Sequence, residues 1–238
     1  MKTLKNLFFG ILLFIAAVIA LAYAFNYQHL FNAIALTYLK GETSATIDDG
    51  VDFPSRNIEK GVAQPWQKDS LYNKTSLPKN IVENLKSTNS ASFLVIKDGK
   101  LVHEEYFGEY KPTTQTNSFS MAKAITVLLM GLAIEDQKIQ SENQKFADFY
   151  PNFNKVEHGN ELTLRDLAAM EAGYYWDEDY RNPFLQNPRI YYGKNMAEAL
   201  LKSPQFEAKP GSRFEYQSGA TQLLGFAIRK AVNIPLSA

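Results

Sequence analysis

Residues 118–137 read SFSMAKAITVLLMGLAIEDQ, and this stretch is the most informative about the architecture of the chain. From Met121 the sequence is apolar at nearly every position until Glu135 and Asp136. An apolar run without a polar face predicts a helix that is buried on most sides. Because the predicted helix, from Ser120 to Gln137, has only 18 residues, we expect a core helix rather than a membrane span.

Ser120 and Lys123 form a Ser-x-x-Lys pair at the start of this helix. Residues three apart share a helix face, so the spacing brings a hydroxyl and an amine together. The helix N-terminus is expected to add unpaired backbone N–H groups and the positive end of the dipole. A nucleophile, a base and oxyanion donors are what acyl transfer requires. The alternative is a serine N-cap followed by a solvated lysine, although a cation there is mildly unfavourable.

Residues 7–25 carry no charged side chain, and as a helix this segment would span about 28 Å, close to the hydrocarbon thickness of a bilayer. Lys2 and Lys5 precede it, so the positive-inside rule predicts a cytoplasmic N-terminus and an exported remainder. We expect a retained single-pass anchor in the cell membrane. The alternative is a cleavable signal peptide, because A-x-A sites occur at 20–22 and 22–24.

Composition narrows the function classes. The chain has 238 residues, with 25 Lys and Arg against 25 Asp and Glu, and no basic patch stands out. That balance argues against nucleic acid as the main partner. The sequence contains no cysteine, which excludes disulfides, thiolate metal sites and a cysteine nucleophile.

We divide the chain into three parts. Residues 1–25 are the anchor or signal segment, 26–90 a stalk and entry segment rich in polar and turn residues, and 91–238 the main domain. The domain opens with two β-rich runs, 92–96 and 101–107, on either side of an Asp-Gly turn, which predicts an antiparallel hairpin.

Apart from residues 120–137, the sequence predicts helices at 78–87, 163–171, 196–203 and 220–232. Thr163 and Asp166 have the spacing of a capping box at the start of the second of these. An aromatic and acidic loop, 174–180, follows; we expect its carboxylates to be solvated, and we predict no metal. A hairpin followed by grouped helices indicates an α+β fold.

Three segments carry a family resemblance: SFSMAK at 118–123, LTLRDL at 162–167 and KPGSRFEYQSG at 209–219. In this order and spacing they resemble the serine hydrolases of the β-lactamase and penicillin-binding superfamily. The likeness is closest to the class C-like branch of esterases, D-aminopeptidases and 6-aminohexanoate-dimer hydrolases. It implies a β-lactamase-like antiparallel sheet with a helical subdomain.

Two departures from the family pattern stand out. Met170 to Gly173 read MEAG where the family often has His-Thr-Ser-Gly or Met-Thr-Ser-Gly. The family's third motif, a Lys/His-x-Gly strand that supplies an oxyanion donor, has no counterpart between Gly219 and Ala238. By this comparison we expect the sheet to be incomplete at the C-terminus and the chain to be a fragment of a longer protein.

The resemblance implies that Ser120 is the nucleophile and that Lys123 and Tyr216 move the proton, with no cofactor. Ser218 and Tyr175 are candidate substrate contacts; the alternative for Ser218 is a cap of the next helix, and the alternative for Tyr175 is packing alone. A Ser-His-Asp triad is not excluded, since triads are spatial, but no Gly-x-Ser-x-Gly elbow is present.

We predict an exported serine hydrolase, its catalytic domain periplasmic or extracellular, that acts on carboxylic esters, linear amides or peptides. One alternative is a membrane-anchored penicillin-binding-type sensor or binding module that is acylated without turnover or binds peptidoglycan-like ligands non-covalently. Another is an inactive fragment that lacks the third motif.

Overall fold

The computed structural model describes residues 2–180, 182–202 and 204–235. The described chain forms two compact units. One combines the chain up to Ile47 with the chain from Ser118 onward, and the other spans Asp48–Asn117. The proposed parts 26–90 and 91–238 stay a prediction.

The first unit begins with the apolar helix α1, Lys2–Ala24. Its segment Thr3–Ala24 has a mean hydropathy of 2.7 and none of it is buried. At about 1.5 Å per residue, 22 residues are long enough to cross a bilayer. The predicted apolar helix is therefore present, and it is a candidate for a membrane anchor or a signal sequence.

The smaller unit holds a three-stranded sheet and one helix. The strands are β1, Gln67–Lys68; β2, Ser92–Lys97; and β3, Lys100–Tyr106; the helix is α3, Lys79–Ser87. The predicted β2–β3 hairpin is confirmed. Asp98 and Gly99 both have positive φ, 51° and 74°, as the type I′ turn requires.

The sheet order is β1-β3-β2, and β1 pairs with β3 in parallel. The sheet is thus small and mixed, whereas we expected an antiparallel one. The difference comes from β1, because a two-residue strand carries no alternation that sequence patterning could detect.

The larger unit is helical. After α1 its helices are α2, His29–Leu36; α4, Met121–Glu135; α5, Leu164–Ala168; α6, Gln186–Tyr192; α7, Met196–Leu201; and α8, Ser218–Val232. Short 3-10 turns lie at Tyr38–Lys40, Phe146–Asp148 and Pro151–Lys155, and another lies at Asp49–Asp52 in the smaller unit. The helices predicted between residues 78 and 232 are confirmed to within a few residues. Within that range α6 was not predicted, because Pro188 interrupts its apolar pattern.

The core of the larger unit lies around α8, which packs against α4, α5 and α7. Leu223, Leu224 and Ala227 of α8 are completely buried. They join the aromatic pair Phe146 and Phe153, whose ring centroids are 4.6 Å apart. This packing fixes α4 and α8 relative to each other, which matters for the site below.

The expectation that α4 is buried on most sides is wrong. Only Met130 and Ala133 of this helix are buried, whereas Ile125, Leu128 and Leu132 are each more than half exposed. Both buried residues belong to the buried cluster that includes Leu223, Leu224 and Ala227 of α8.

Candidate active site

Ser120 stands at the N-cap of α4. Its side chain is exposed. The preceding residue, Phe119, has a φ of 43°, in the left-handed region that non-glycine residues rarely adopt. Such strained positions concentrate at functional sites.

Lys123 lies one helical turn further on and directs its amine back to the serine. Its Nζ donates to Ser120 Oγ at 3.0 Å. The lysine side chain is partly buried, so it is not the fully solvated cation of the alternative interpretation.

Tyr216 comes from a segment 96 residues away and completes the group. Its hydroxyl donates to Ser120 Oγ at 2.7 Å. Lys123 Nζ also lies 5.1 Å from the centre of the Tyr216 ring, within cation–π range. The structure thus brings Lys123 and Tyr216, both singled out from the sequence, within hydrogen-bonding distance of the Ser120 hydroxyl oxygen.

We expected unpaired backbone N–H groups at the start of α4, and this expectation is wrong for three residues. The amides of Met121, Ala122 and Lys123 donate to the carbonyls three residues earlier, each at 3.1 Å. A 3-10 first turn satisfies them. Within the described residues the amide of Ser120 has no hydrogen-bond partner.

Three hydrogen bonds to residues 170–174 hold the segment that carries Tyr216. The Gly211 amide donates to Glu171 O at 2.8 Å, and the Glu215 amide donates to Met170 O at 2.8 Å. The buried side chain of Gln217 donates through Nε2 to Tyr174 O at 2.7 Å. The predicted capping box of Thr163 and Asp166 starts α5, the helix that leads into residues 170–174.

Ser218 is the first residue of α8. Its amide donates to Glu178 Oε2 at 2.8 Å and its hydroxyl to Glu178 Oε1 at 2.5 Å. Burial by itself would raise the pKa of the Glu178 carboxyl, but hydrogen bonds from Ser218, Tyr180 and Trp176 outweigh it and hold that pKa below its usual value. The expectation of solvated carboxylates in 174–180 is therefore wrong for Glu178. Sequence reasoning missed this residue because its partner lies 40 positions away.

Tyr175, the other candidate for substrate contact, is partly buried, and its amide donates to Gln205 O at 2.8 Å. Its neighbour Trp176 is buried. No group of three or more metal-ligating side chains occurs in the part of the chain that the structure describes. A cavity of about 570 Å³ lies elsewhere in this unit, among α1, α2, α6 and α7, and its lining includes none of the three residues around the Ser120 hydroxyl.

Comparison with known proteins agrees with this fold. Residues 78–235 match the family described as Beta-lactamase, and this is more than half of the chain. The chain belongs to that family. The predicted family resemblance is confirmed at this level.

Individual relatives are distant. An Escherichia coli protein provisionally named D-alanyl-D-alanine carboxypeptidase is 25% identical over 167 residues, which cover 62% of this chain and 38% of the relative. The chain thus spans less than half the length of the curated relatives that it matches.

Two solved structures share the fold. A provisional 6-aminohexanoate-dimer hydrolase from Bacillus anthracis matches with a TM-score of 0.56 at 24% identity, covering 66% of this chain and 44% of that one. A provisional beta-lactamase from Bacteroides dorei matches with a TM-score of 0.51 at 18% identity, covering 66% and 46%. The predicted β-lactamase-like fold is confirmed.

Proposed function

We propose that this chain is an exported, membrane-anchored serine hydrolase that cleaves carboxylic esters or linear amides through an acyl-serine intermediate. The observation that carries the proposal is the Ser120 hydroxyl, which has Lys123 Nζ at 3.0 Å and the Tyr216 hydroxyl at 2.7 Å. Both distances allow direct proton transfer. Membership of the Beta-lactamase family and relatives named as hydrolases support the same reaction class.

In the first half of the reaction Ser120 Oγ attacks the substrate carbonyl carbon, and a new C–O bond forms. The Oγ proton passes to Lys123 as the neutral amine or to Tyr216 as the phenolate. It then goes to the leaving alcohol or amine as the substrate bond breaks. The unpaired Ser120 amide would stabilise the oxyanion.

In the second half a water molecule attacks the acyl-serine. Tyr216 as the phenolate takes a proton from this water and passes it to Ser120 Oγ, which leaves as the C–O bond to the acyl group breaks and the carboxylic acid is released. No metal or redox step is needed for this proton balance.

Substrate contacts are proposed for Ser218 and Tyr175. Ser218 lies two residues beyond Tyr216, and its hydroxyl oxygen still has lone pairs to accept a hydrogen bond while it donates to Glu178. Tyr175 directly follows the residue whose carbonyl holds Gln217. Replacing Tyr175 by alanine is expected to raise KM more than it lowers kcat.

The decisive experiment follows p-nitrophenyl ester hydrolysis by the full chain and its Ser120→Ala variant. We expect steady turnover that falls by at least about 1,000-fold in the variant, since loss of the nucleophile removes the covalent route. Ser118→Ala is the matched control, because it removes an exposed hydroxyl two residues away.

Two other results would refute the hydrolase. A single stoichiometric release of p-nitrophenol, with the acyl group retained on Ser120 by mass spectrometry, would indicate a non-turnover sensor. Absence of both burst and turnover in a folded chain would indicate an inactive fragment.

A further inference from the structure

Glu178 gathers four hydrogen-bond donors at the N-terminus of α8. Its Oε2 accepts from Trp176 Nε1 at 2.5 Å and from the Ser218 amide at 2.8 Å. Its Oε1 accepts from the hydroxyls of Tyr180 and Ser218, both at 2.5 Å. One carboxylate therefore connects its loop neighbours Trp176 and Tyr180 to Ser218, the first residue of a 15-residue helix.

This carboxylate caps the N-terminus of α8, which its own N-cap residue leaves uncapped. The N-cap residue of α8, Gln217, makes no side-chain cap bond to its own helix. A carboxylate that accepts from the first helical amide satisfies an orphan donor and complements the positive end of the helix dipole. Glu178 supplies both from outside the helix.

The same contact lies two residues from Tyr216. Gln217, between Tyr216 and Ser218, is itself held by the Tyr174 carbonyl. Trp176 packs so closely on Gly219 that a β-carbon there would lie 2.5 Å from the indole ring. Residues 174–178 therefore contact residues 217, 218 and 219 in turn, by hydrogen bonds to the first two and by packing against the third.

Tyr216 directly precedes the three residues held by these contacts. The residue is 42% exposed, so packing alone does not fix its side chain, and its hydroxyl donates to Ser120 Oγ. A small shift of the first turn of α8 would change the 2.7 Å distance on which proton transfer depends.

We propose that Glu178 is a positioning residue of the site, holding the Tyr216 hydroxyl at Ser120 by anchoring Ser218. The inference rests on the proposed function and adds to it a residue that does not touch the reacting atoms. The competing explanation is that Glu178 stabilises only the fold. The two differ in one respect: a positioning role acts through the Tyr216 hydroxyl, and a purely structural role does not.

A double-mutant cycle on the full chain separates them. The rate of Ser120 labelling by a fluorophosphonate probe is measured for the wild type, Glu178→Ala, Tyr216→Phe and the double variant. We expect Glu178→Ala to slow labelling about 100-fold in the wild type, as displacement of a reacting group by about 1 Å can. In the Tyr216→Phe background we expect Glu178→Ala to slow labelling by less than about 3-fold. The hydroxyl that Glu178 positions is already absent there, so the two effects are not additive.

Conservative replacement gives a second readout. In Glu178→Gln the amide oxygen can still accept from Trp176 and Ser218 N–H, and the two hydroxyls can rotate to accept from the amide nitrogen. We expect this variant to recover most of the labelling rate. Asp177→Asn, one residue away, is the matched control for a changed charge in the same loop and should label at the wild-type rate.

Ser218→Ala keeps the proposal testable if Glu178→Ala fails to fold. It removes only the hydrogen bond from the Ser218 hydroxyl to Glu178 and keeps the one from the Ser218 amide. It should give a smaller loss that again disappears with Tyr216→Phe. Equal effects in both backgrounds, with a labelled wild type and an unlabelled Ser120→Ala, would overturn the positioning role alone. A folded wild type that is not labelled at Ser120 would overturn the proposed function and this inference with it.

Discussion

The chemistry of single side chains in this protein depends on partners that lie both close by and far away in the sequence. Ser120 receives Lys123 from its own helix and Tyr216 from a distant segment. The first contact follows from helix geometry, whereas the second requires a folded core. Tyr174 is another residue set by its surroundings, because its buried hydroxyl donates to Leu200 O at 3.1 Å.

Burial raises the pKa of Tyr174 to about 12, compared with about 10 in an unfolded chain. The unfolded state therefore loses its proton first. The stability contributed by the neutral phenol is complete below about pH 10 and is lost as the pH rises towards 12. In Tyr174→Phe we expect a melting temperature that is lower at pH 8, from the lost hydrogen bond, and that declines less steeply from pH 10 to 12.

Circular dichroism melts across this pH range test the expectation. Tyr38→Phe, which changes an exposed tyrosine, is the control and should show the wild-type decline. An equally steep decline in Tyr174→Phe and the control would show that Tyr174 does not carry this pH dependence.

At the scale of elements, the site lies at the N-terminal ends of α4 and α8, and both helices contain glycine. Gly131 in α4 has open space around the position of a β-carbon. Gly219 in α8 does not, because Trp176 fills that space. The same substitution therefore tests two opposite packing environments.

Gly131→Ala should stabilise the chain by about 0.5–1 kcal/mol, since alanine costs less backbone entropy in a helix. Gly219→Ala should destabilise it by about 1–3 kcal/mol, because the new methyl group must displace a buried indole. Chemical denaturation of both variants measures the two changes. A Gly219→Ala variant as stable as wild type would contradict the close packing of Trp176.

At the scale of the whole molecule, the apolar helix α1 is the basis for expecting the protein at a membrane. None of the apolar segment of α1, Thr3–Ala24, is buried within the described chain. Burial of such a surface in a bilayer is favourable, and its length matches the hydrocarbon core. The proposed hydrolase would then act at the outer face of a membrane.

We expect the full chain to sediment with membranes, to resist alkaline carbonate and to be released by detergent. A variant that lacks residues 2–24 should be found in the soluble fraction after the same treatment. Intact mass of the exported protein decides between anchor and signal peptide: retention of residues 7–25 supports the anchor, and a new N-terminus after Ala22 or Ala24 contradicts it.

Local sequence determined much of this protein. The Asp98-Gly99 turn, the Thr163–Asp166 capping box and the apolar segment of α1 depend on interactions within a few residues, and all three are present in the structure. Lys123 meets Ser120 for the same reason, because three residues of helix fix that distance. The motifs at Ser120 and Tyr216 together also pointed to the family that comparison confirms.

Only the tertiary structure decided the rest. The parallel pairing of β1, the exposed side of α4 and the position of Tyr216 each depend on segments far apart in sequence. Glu178 is the sharpest case, since an acidic loop gives no sign that one carboxylate will cap a helix 40 residues later. The physical reason is that periodicity and capping signals are local, whereas which donors a carboxylate meets is fixed by how the helices pack.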